Sequence, residues 1–185
     1  MSAGARGFTI VEVMITLVVL GVLITFGAPE FMAFLQNQKT RAAADAVLSG
    51  LQAARAAAVS RNLAVQFKLT GLGSAPPNSS WTVSESASGI VIQTRSSDEG
   101  TATVNVAAVD GAANPVTTVT FSPIGGVAAN ADASAALRRI DLTNPMALAG
   151  NARAFRVLIS GGGSLRMCDP NVTVANDPRY CPATY

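Results

Sequence analysis

Few side chains in this 185-residue sequence are of the types that carry out acid–base or metal chemistry. There is no histidine, so the commonest general base and metal ligand are both missing. Charged residues make up 13% of the chain, about half the usual share of roughly 25%, and the formal net charge is only +2. The acidic residues are scattered, and the sequence contains no nucleotide-binding or zinc-binding spacing. We therefore expect a protein that is not an enzyme and that needs neither a cofactor nor a metal ion.

Cys168 and Cys181 are the only cysteines, and both lie near the C-terminus. They could form one disulfide bridge or remain two unrelated thiols. A bridge that closes a loop of this size is worth about 3 kcal/mol in the chain-entropy model. It would require an oxidising compartment such as the periplasm or the cell surface. The N-terminal segment, which argues independently for export, favours the bridge.

Four arginines of the last third of the chain, Arg153, Arg156, Arg166 and Arg179, are candidates for binding an anion. The planar arginine fork pairs well with phosphate, so these residues could bind DNA with an affinity that falls steeply with salt. The alternative is that they are solvated surface charges or local ion pairs, which contribute little each. Trp81, the only tryptophan, starts a predicted strand. It is expected either to pack in the core or to stack on a base.

Residues 8–28 form a hydrophobic run in which Glu12 is the only charged residue. As an α-helix this run would be about 31 Å long, enough to cross the hydrocarbon core of a bilayer. Arg6 precedes the run, which favours a cytoplasmic N-terminus. A carboxylate near hydrocarbon costs about 2.5–3.5 kcal/mol on insertion scales, and such a residue is usually functional.

This run has three possible interpretations. A cleaved secretory signal would need small residues at its cleavage site, but the candidate site has the bulky Phe26 and is followed by Pro29. A plain membrane anchor would leave Glu12 unexplained. In the third interpretation the run is an assembly element, and the motif at its start favours this one.

The hexapeptide Gly7-Phe8-Thr9-Ile10-Val11-Glu12 resembles the signature of type IV pilins and type II secretion pseudopilins. The resemblance implies a leader peptide, residues 1–7, that a prepilin peptidase removes by cutting between Gly7 and Phe8. It implies N-methylation of the new terminal Phe8. It further implies that Glu12 pairs with the N-terminal amine of a neighbouring subunit, because a buried charge is tolerated mainly when it is paired.

Helical periodicity continues beyond the hydrophobic run. Apolar residues recur at spacings of three and four and form one stripe: Ala43, Ala44, Val47, Leu51, Ala54 and Ala58. We therefore predict one long helix from about Phe8 to Arg61, bent near Gly27–Pro29 because a proline removes a helical hydrogen bond. The resemblance implies the same bend at Pro29. Residues 8–28 would be the transmembrane and assembly part, and residues 29–62 the amphipathic part that packs on a head.

Residues 63–185 have the pattern of a β-rich globular head. Several short strands separated by Gly-, Pro- and Asp-rich turns predict antiparallel sheets. The predicted strands are Ala64–Leu69, Trp81–Ser86, Ile90–Arg95, Thr101–Ala107, Val116–Ser122, Arg138–Leu142, Arg153–Ile159 and Ser164–Cys168. The predicted fold class is α+β.

The helix end from Leu48 to Asn62 is similar to that of the GspH/FimT group of minor pilins and pseudopilins, although Ala56-Ala57 stands where the group often has Ser-Glu. The tail segments 165–170 and 177–181 resemble those of FimT-like minor pilins. This resemblance implies a bent N-terminal helix packed on a C-terminal antiparallel β-sandwich head. DNA-binding members carry a Gly-Arg-x-Arg motif, of which Gly163-Ser164-Leu165-Arg166 keeps only the second arginine.

We expect a minor pilin that helps to start or cap a type IV pilus and that contributes to DNA uptake if the arginines bind DNA. The alternatives are a minor pseudopilin of a type II secretion system, a DNA-binding module for natural transformation, and an unrelated single-span periplasmic protein. The implied partners are other major and minor pilins or pseudopilins, the prepilin peptidase and the inner-membrane assembly platform. The expected location is the inner membrane, with one span and a periplasmic head, and the pilus or cell surface after assembly.

Overall fold

The computed structural model describes residues 7–147 and 152–182, so the predicted leader apart from Gly7 lies outside the described residues. Helix α1 runs from Ile10 to Arg61 and continues through Pro29 without interruption. The single long helix is therefore confirmed, and its predicted bend near Gly27–Pro29 stays a prediction.

Both ends of α1 are capped by the residues next to them. Thr9 has an extended backbone, and its hydroxyl oxygen accepts a hydrogen bond from the Glu12 N–H at 3.2 Å. Asn62 adopts the left-handed conformation, and its N–H donates to the carbonyl oxygens of Ala58 and Val59. Asparagine tolerates this conformation, which ends helices by satisfying their last carbonyls. The helix therefore stops at Arg61, where the sequence predicted its end.

Two antiparallel sheets follow the helix in the described part of the chain. The first has the strand order β3-β2-β1-β5-β6, and the second β4-β7-β8-β9. The strands are β1 (Val65–Leu69), β2 (Trp81–Glu85), β3 (Val91–Arg95), β4 (Asn105–Val109), β5 (Thr118–Phe121), β6 (Val127–Ala128), β7 (Arg139–Thr143), β8 (Phe155–Ile159) and β9 (Leu165–Cys168). A short 3₁₀ turn, Gly71–Gly73, follows β1. The predicted α+β class, a long helix packed on antiparallel sheets, is confirmed.

The fourth strand begins later than predicted. The sequence predicted a start at Thr101, but β4 begins at Asn105. Thr101 lies in a turn, where its N–H donates to the Ser97 carbonyl oxygen at 2.9 Å. Its buried hydroxyl is 2.9 Å from that of Ser79. This contact joins residues far apart in sequence, so local strand propensity did not reveal it.

The second half of α1 packs on strands of both sheets. All six residues of the predicted apolar stripe are fully buried. At Gly50 the sheet approaches so closely that an added Cβ would lie 2.8 Å from Trp81 Cε2. Trp81 is 1% exposed and lies against Phe67, with 5.6 Å between ring centroids. Trp81 is therefore a core residue, and the alternative of a base-stacking platform is wrong.

Three elements meet at the end of the head where α1 ends. The Nε of Arg55 donates to the Gly125 carbonyl oxygen at 3.0 Å, in the turn between β5 and β6. Gly163, in the turn between β8 and β9, approaches the same carbonyl so closely that an added Cβ would overlap it. The φ of Gly163 is +78°, a conformation that other residues adopt at a cost. This contact fastens both sheets to the helix.

We therefore expect Gly163→Ala to destabilise the protein by about 2–4 kcal/mol, from backbone strain together with overpacking. The matched control is Gly162→Ala. An added Cβ there would meet nothing closer than the Ser160 hydroxyl at 4.0 Å, so its effect should stay within about 0.5 kcal/mol. The measurement is urea unfolding of the purified chain in detergent, followed by Trp81 fluorescence. Equal midpoints for the two variants would contradict the contact.

Candidate functional site

The beginning of α1, from Ile10 to Thr25, is exposed along its whole length. Every residue from Gly7 to Thr25 is exposed, including all of its large apolar side chains. Covering a large aliphatic side chain is worth about 1.5–3 kcal/mol relative to leaving it in water. Within the described residues, α1 is the one helix long and apolar enough to cross a bilayer, and that stretch makes no buried contact with the head. This surface therefore requires lipid or other chains to cover it.

The predicted processing site lies in an open segment. Gly7 and Phe8 precede the helix and are exposed, and an added Cβ at Gly7 would have no neighbour within 4 Å. Packing within this chain therefore does not require glycine at that position. An exposed, non-helical peptide bond between Gly7 and Phe8 is accessible to a protease.

Glu12 lies in the first turn of α1, where the helix dipole favours a carboxylate. Thr9 and Glu12 have the Thr-x-x-Glu spacing of a capping box. The capping role of Thr9 was missed in the sequence analysis, although this spacing could have shown it. The carboxylate is exposed, so its position remains open to a partner outside the chain.

The C-terminal tail is fastened to the edge of the second sheet. A disulfide joins Cys168 to Cys181, as predicted. The Nη2 of Arg166 donates to the carbonyl oxygens of Pro178 and Tyr180, both at 3.1 Å. The Asp169 N–H donates to the Arg179 carbonyl oxygen at 2.8 Å. Arg166 therefore holds the loop that the disulfide closes.

Two more of the predicted arginines are engaged in local ion pairs. Arg179 forms two hydrogen bonds with Asp177, at 3.1 and 2.8 Å, and this pairing lowers the pKa of the Asp177 carboxyl to about 2. On the outer face of the second sheet, Arg156 and Arg139 both approach Asp141, at 2.5 and 3.0 Å. These contacts agree with the alternative in which the arginines form local ion pairs. They leave this face with more positive than negative charge.

Arg153 lies apart from the other three arginines. Its backbone N–H donates to the side-chain oxygen of Asn37 at 2.9 Å, so it packs beside α1 where the helix enters the head. The structure therefore does not bring the four predicted arginines into one cluster. Arg156 and Arg166, on the paired strands β8 and β9, share one face of the sheet.

Within residues 7–147 and 152–182, no three His, Cys, Asp or Glu side chains come together as metal ligands would. The described features that could act on other molecules are thus the exposed half of α1, the open segment before it, and the charged surfaces of the head. None of these is an arrangement for covalent chemistry.

Comparisons with known proteins agree with this organisation. A family model described as type II transport protein GspH matches residues 43–163, and one described as the prokaryotic N-terminal methylation motif matches residues 3–28. No curated protein matches the chain significantly.

Among solved structures, the chain is similar to the type IV minor pilin FimU of Pseudomonas aeruginosa (strain PAO1) in two crystal forms. In one form the FimU chain is 18% identical, with a TM-score of 0.49, and the match covers 75% of this chain and 97% of the crystallised FimU chain. The other is 19% identical, with a TM-score of 0.46, and covers 71% and 97%. Since the first family model spans about two thirds of the sequence, the chain belongs to the GspH family of minor pilins and pseudopilins.

Proposed function

We propose that this chain is a minor pilin, a structural subunit that helps to start or cap a type IV pilus. The observation that carries the proposal is the exposed apolar half of α1, which projects from a folded head and begins directly after the open Gly7–Phe8 segment. The apolar half spans the inner membrane before assembly. It moves into the core of a filament when the subunit is incorporated, so that lipid is exchanged for the helices of other subunits.

Glu12 guides that exchange. Cleavage between Gly7 and Phe8 creates a positive amine four residues before Glu12. In an apolar filament core, the carboxylate of one subunit needs a positive partner, and the amine of its neighbour supplies one. Because breaking a buried ion pair costs about 3–5 kcal/mol, subunits that pack out of register are disfavoured.

The first prediction of this proposal concerns the mature N-terminus. Mass spectrometry of the protein purified from its own bacterium should find an N-terminal Phe8 that carries one methyl group. A terminus at Met1, Ser2 or Pro29 would contradict the proposal, since these are the termini of an uncleaved anchor or of a secreted chain.

Glu12→Gln provides a matched control for that experiment, because it removes the charge and keeps the shape. The variant should be cut and methylated like the wild type, since the peptide bond before Phe8 is unchanged. It should be absent from sheared filaments, since the neighbouring amine loses its partner. Normal incorporation of Glu12→Gln would show that Glu12 does not set the register.

A second candidate function is that of a minor pseudopilin in a type II secretion system. The description of the matching family model, type II transport protein GspH, favours it. The disulfide-closed tail from Cys168 to Cys181, which resembles the tails of FimT-like minor pilins, favours the pilus. A deletion strain separates the two functions. We expect lost twitching motility and surface pili with normal protein secretion. The opposite pattern would assign the chain to the secretion system.

The proposed contribution to DNA uptake is supported by the outer face of the second sheet, where Arg139, Arg156 and Arg166 accompany one carboxylate, Asp141. In a mobility-shift assay, the full chain in detergent should retard DNA, and the affinity should fall steeply from 50 to 200 mM salt. Arg156→Ala combined with Arg166→Ala should weaken binding by about tenfold, since both residues lie on this face and phosphate contacts supply most of the affinity.

The control for the DNA experiment replaces Arg61 and Arg95 by alanine, because both lie away from this face in exposed ion pairs. The control variant should bind like the wild type. Mass spectrometry that finds an intact Cys168–Cys181 bridge would show that the tail loop is still closed in the variant that lacks Arg166. Equal weak binding by the wild type and both variants would exclude DNA as a ligand.

A further inference from the structure

A groove of about 480 Å³ lies where α1 enters the head. Its lining is partly apolar and partly polar. We call the apolar residues Ala33, Phe34 and Phe155 its floor and the charged residues Glu30, Arg41 and Arg153 its rim. We name it the Phe34 groove. We propose that the Phe34 groove binds the headgroup of an anionic phospholipid in the outer leaflet of the inner membrane. This inference rests on the membrane location in the proposed function.

The apolar surface of α1 extends beyond the run that the sequence analysis assigned to the membrane. Phe31, Met32, Phe34 and Leu35 are 62%, 59%, 55% and 37% exposed. Exposed apolar residues therefore continue to Leu35. The helix from Ile10 to Leu35 is about 39 Å long, against about 30 Å of hydrocarbon. The span must therefore lie over only part of this stretch.

Glu12 indicates which part that is. A carboxylate is least costly at the membrane boundary, so the hydrocarbon layer is expected to begin just after it. About 20 residues of helix then cross the layer, which places its other side near Met32. Phe34 follows immediately. Asn37, whose side-chain oxygen accepts a hydrogen bond from the Arg153 N–H, stands about 7 Å beyond Met32 along the helix axis. This is at the outer boundary of a headgroup layer that is about 5–7 Å thick.

The two arginines are placed to reach that layer. Arg41 lines the groove together with residues one to three helical turns closer to the membrane, such as Asn37 and Phe34. Its ion pair with Asp45, at 3.8 Å, is exposed on both sides and contributes little. Arg153 is exposed and is fixed to α1 through its backbone. Among the described residues, no ion pair of the Arg153 guanidinium is present.

The charge and shape of the groove match this ligand. Arg41 and Arg153 outnumber Glu30, so the rim attracts a negative phosphodiester, and arginine forks suit its oxygens. The exposed face of Phe34 lies at the depth of the glycerol and upper acyl chain. An aromatic ring at the membrane interface, flanked by basic residues, is an arrangement that anchors proteins at that depth. A bound lipid would hold the head at a fixed height before assembly.

The test uses tryptophan fluorescence of the full-length chain in phosphatidylcholine vesicles that contain a small fraction of a lipid brominated on its acyl chains. Trp81 is buried in the head and supplies a constant background. In Phe34→Trp, brominated phosphatidylglycerol should quench about threefold more strongly than brominated phosphatidylcholine, because two arginines select the anionic headgroup. Arg41→Gln combined with Arg153→Gln should remove this preference.

Two controls separate this inference from the proposed function. Val18→Trp, in the middle of the exposed half of α1, should be quenched equally by both lipids. If Val18→Trp is not quenched, the helix is not in the bilayer and both proposals fail. If Val18→Trp is quenched but Phe34→Trp shows no preference, only the lipid site fails. Arg61→Gln combined with Lys68→Gln, which removes two charges elsewhere on the head, should leave the preference intact.

A second measurement leaves the floor of the groove unmodified. In native mass spectrometry, the wild-type chain released from phosphatidylglycerol-containing detergent should retain one lipid that the Arg41→Gln and Arg153→Gln variant loses. Quenching of Phe34→Trp that depends on protein density and not on lipid charge would assign the groove to a second copy of the chain. That result would overturn the proposal.

Discussion

One uninterrupted helix connects the two parts of this molecule, and the remaining structure depends on it. From Ile10 to Arg61 the backbone stays helical, so no loop lies between the apolar half and the half that is buried in the head. The buried half is rich in alanine and has a glycine at position 50, which lets Trp81 and Phe67 approach the helix backbone. Larger side chains there would push the first sheet away. The small residues of α1 therefore determine how both sheets are placed.

Each end of the head is fastened to this helix in a different way. Near its entry, Gln36 and Asn37 hold the chain around Asn144 and Arg153 by hydrogen bonds. Near its end, Arg55 binds the turn at Gly125, and Gly163 packs on the same turn. Hydrogen bonds thus hold the end where α1 enters the head, whereas a hydrogen bond and close backbone packing together hold the far end. The apolar stripe between them supplies the core.

Local patterns in the sequence were sufficient for most of the architecture. The stripe from Ala43 to Ala58, the end of α1 at Arg61 and most strands follow from periodicity and turn residues, which act between near neighbours. The two-residue strand β6 was not predicted, because it exists only through its pairing with β5. The role of Gly163 was not predicted, because it depends on Gly125, which is distant in the sequence.

The candidate sites also differ in how far local sequence patterns could reveal them. Gly7, Phe8 and Glu12 could be proposed from the sequence because they belong to one contiguous motif. The arginines were harder to interpret, because the charge that a surface presents depends on strand register. Only the pairing of β7 with β8 shows that Asp141 lies opposite Arg156, and only the fold of the tail shows that Arg166 holds two carbonyls. Composition alone cannot separate such arginines from ones that remain available to a ligand.

The continuity of α1 also has a mechanical consequence. A force applied to the exposed part of α1 is transmitted along the helix axis into the head, because the helix is continuous from Ile10 to Arg61. All the contacts that α1 makes with the head between Thr40 and Ala58 then share the force, and together they resist sliding of the helix along the head. A force that peeled one strand at a time would break the same contacts one after another. The head is thus loaded in the direction in which its attachment to the helix is strongest.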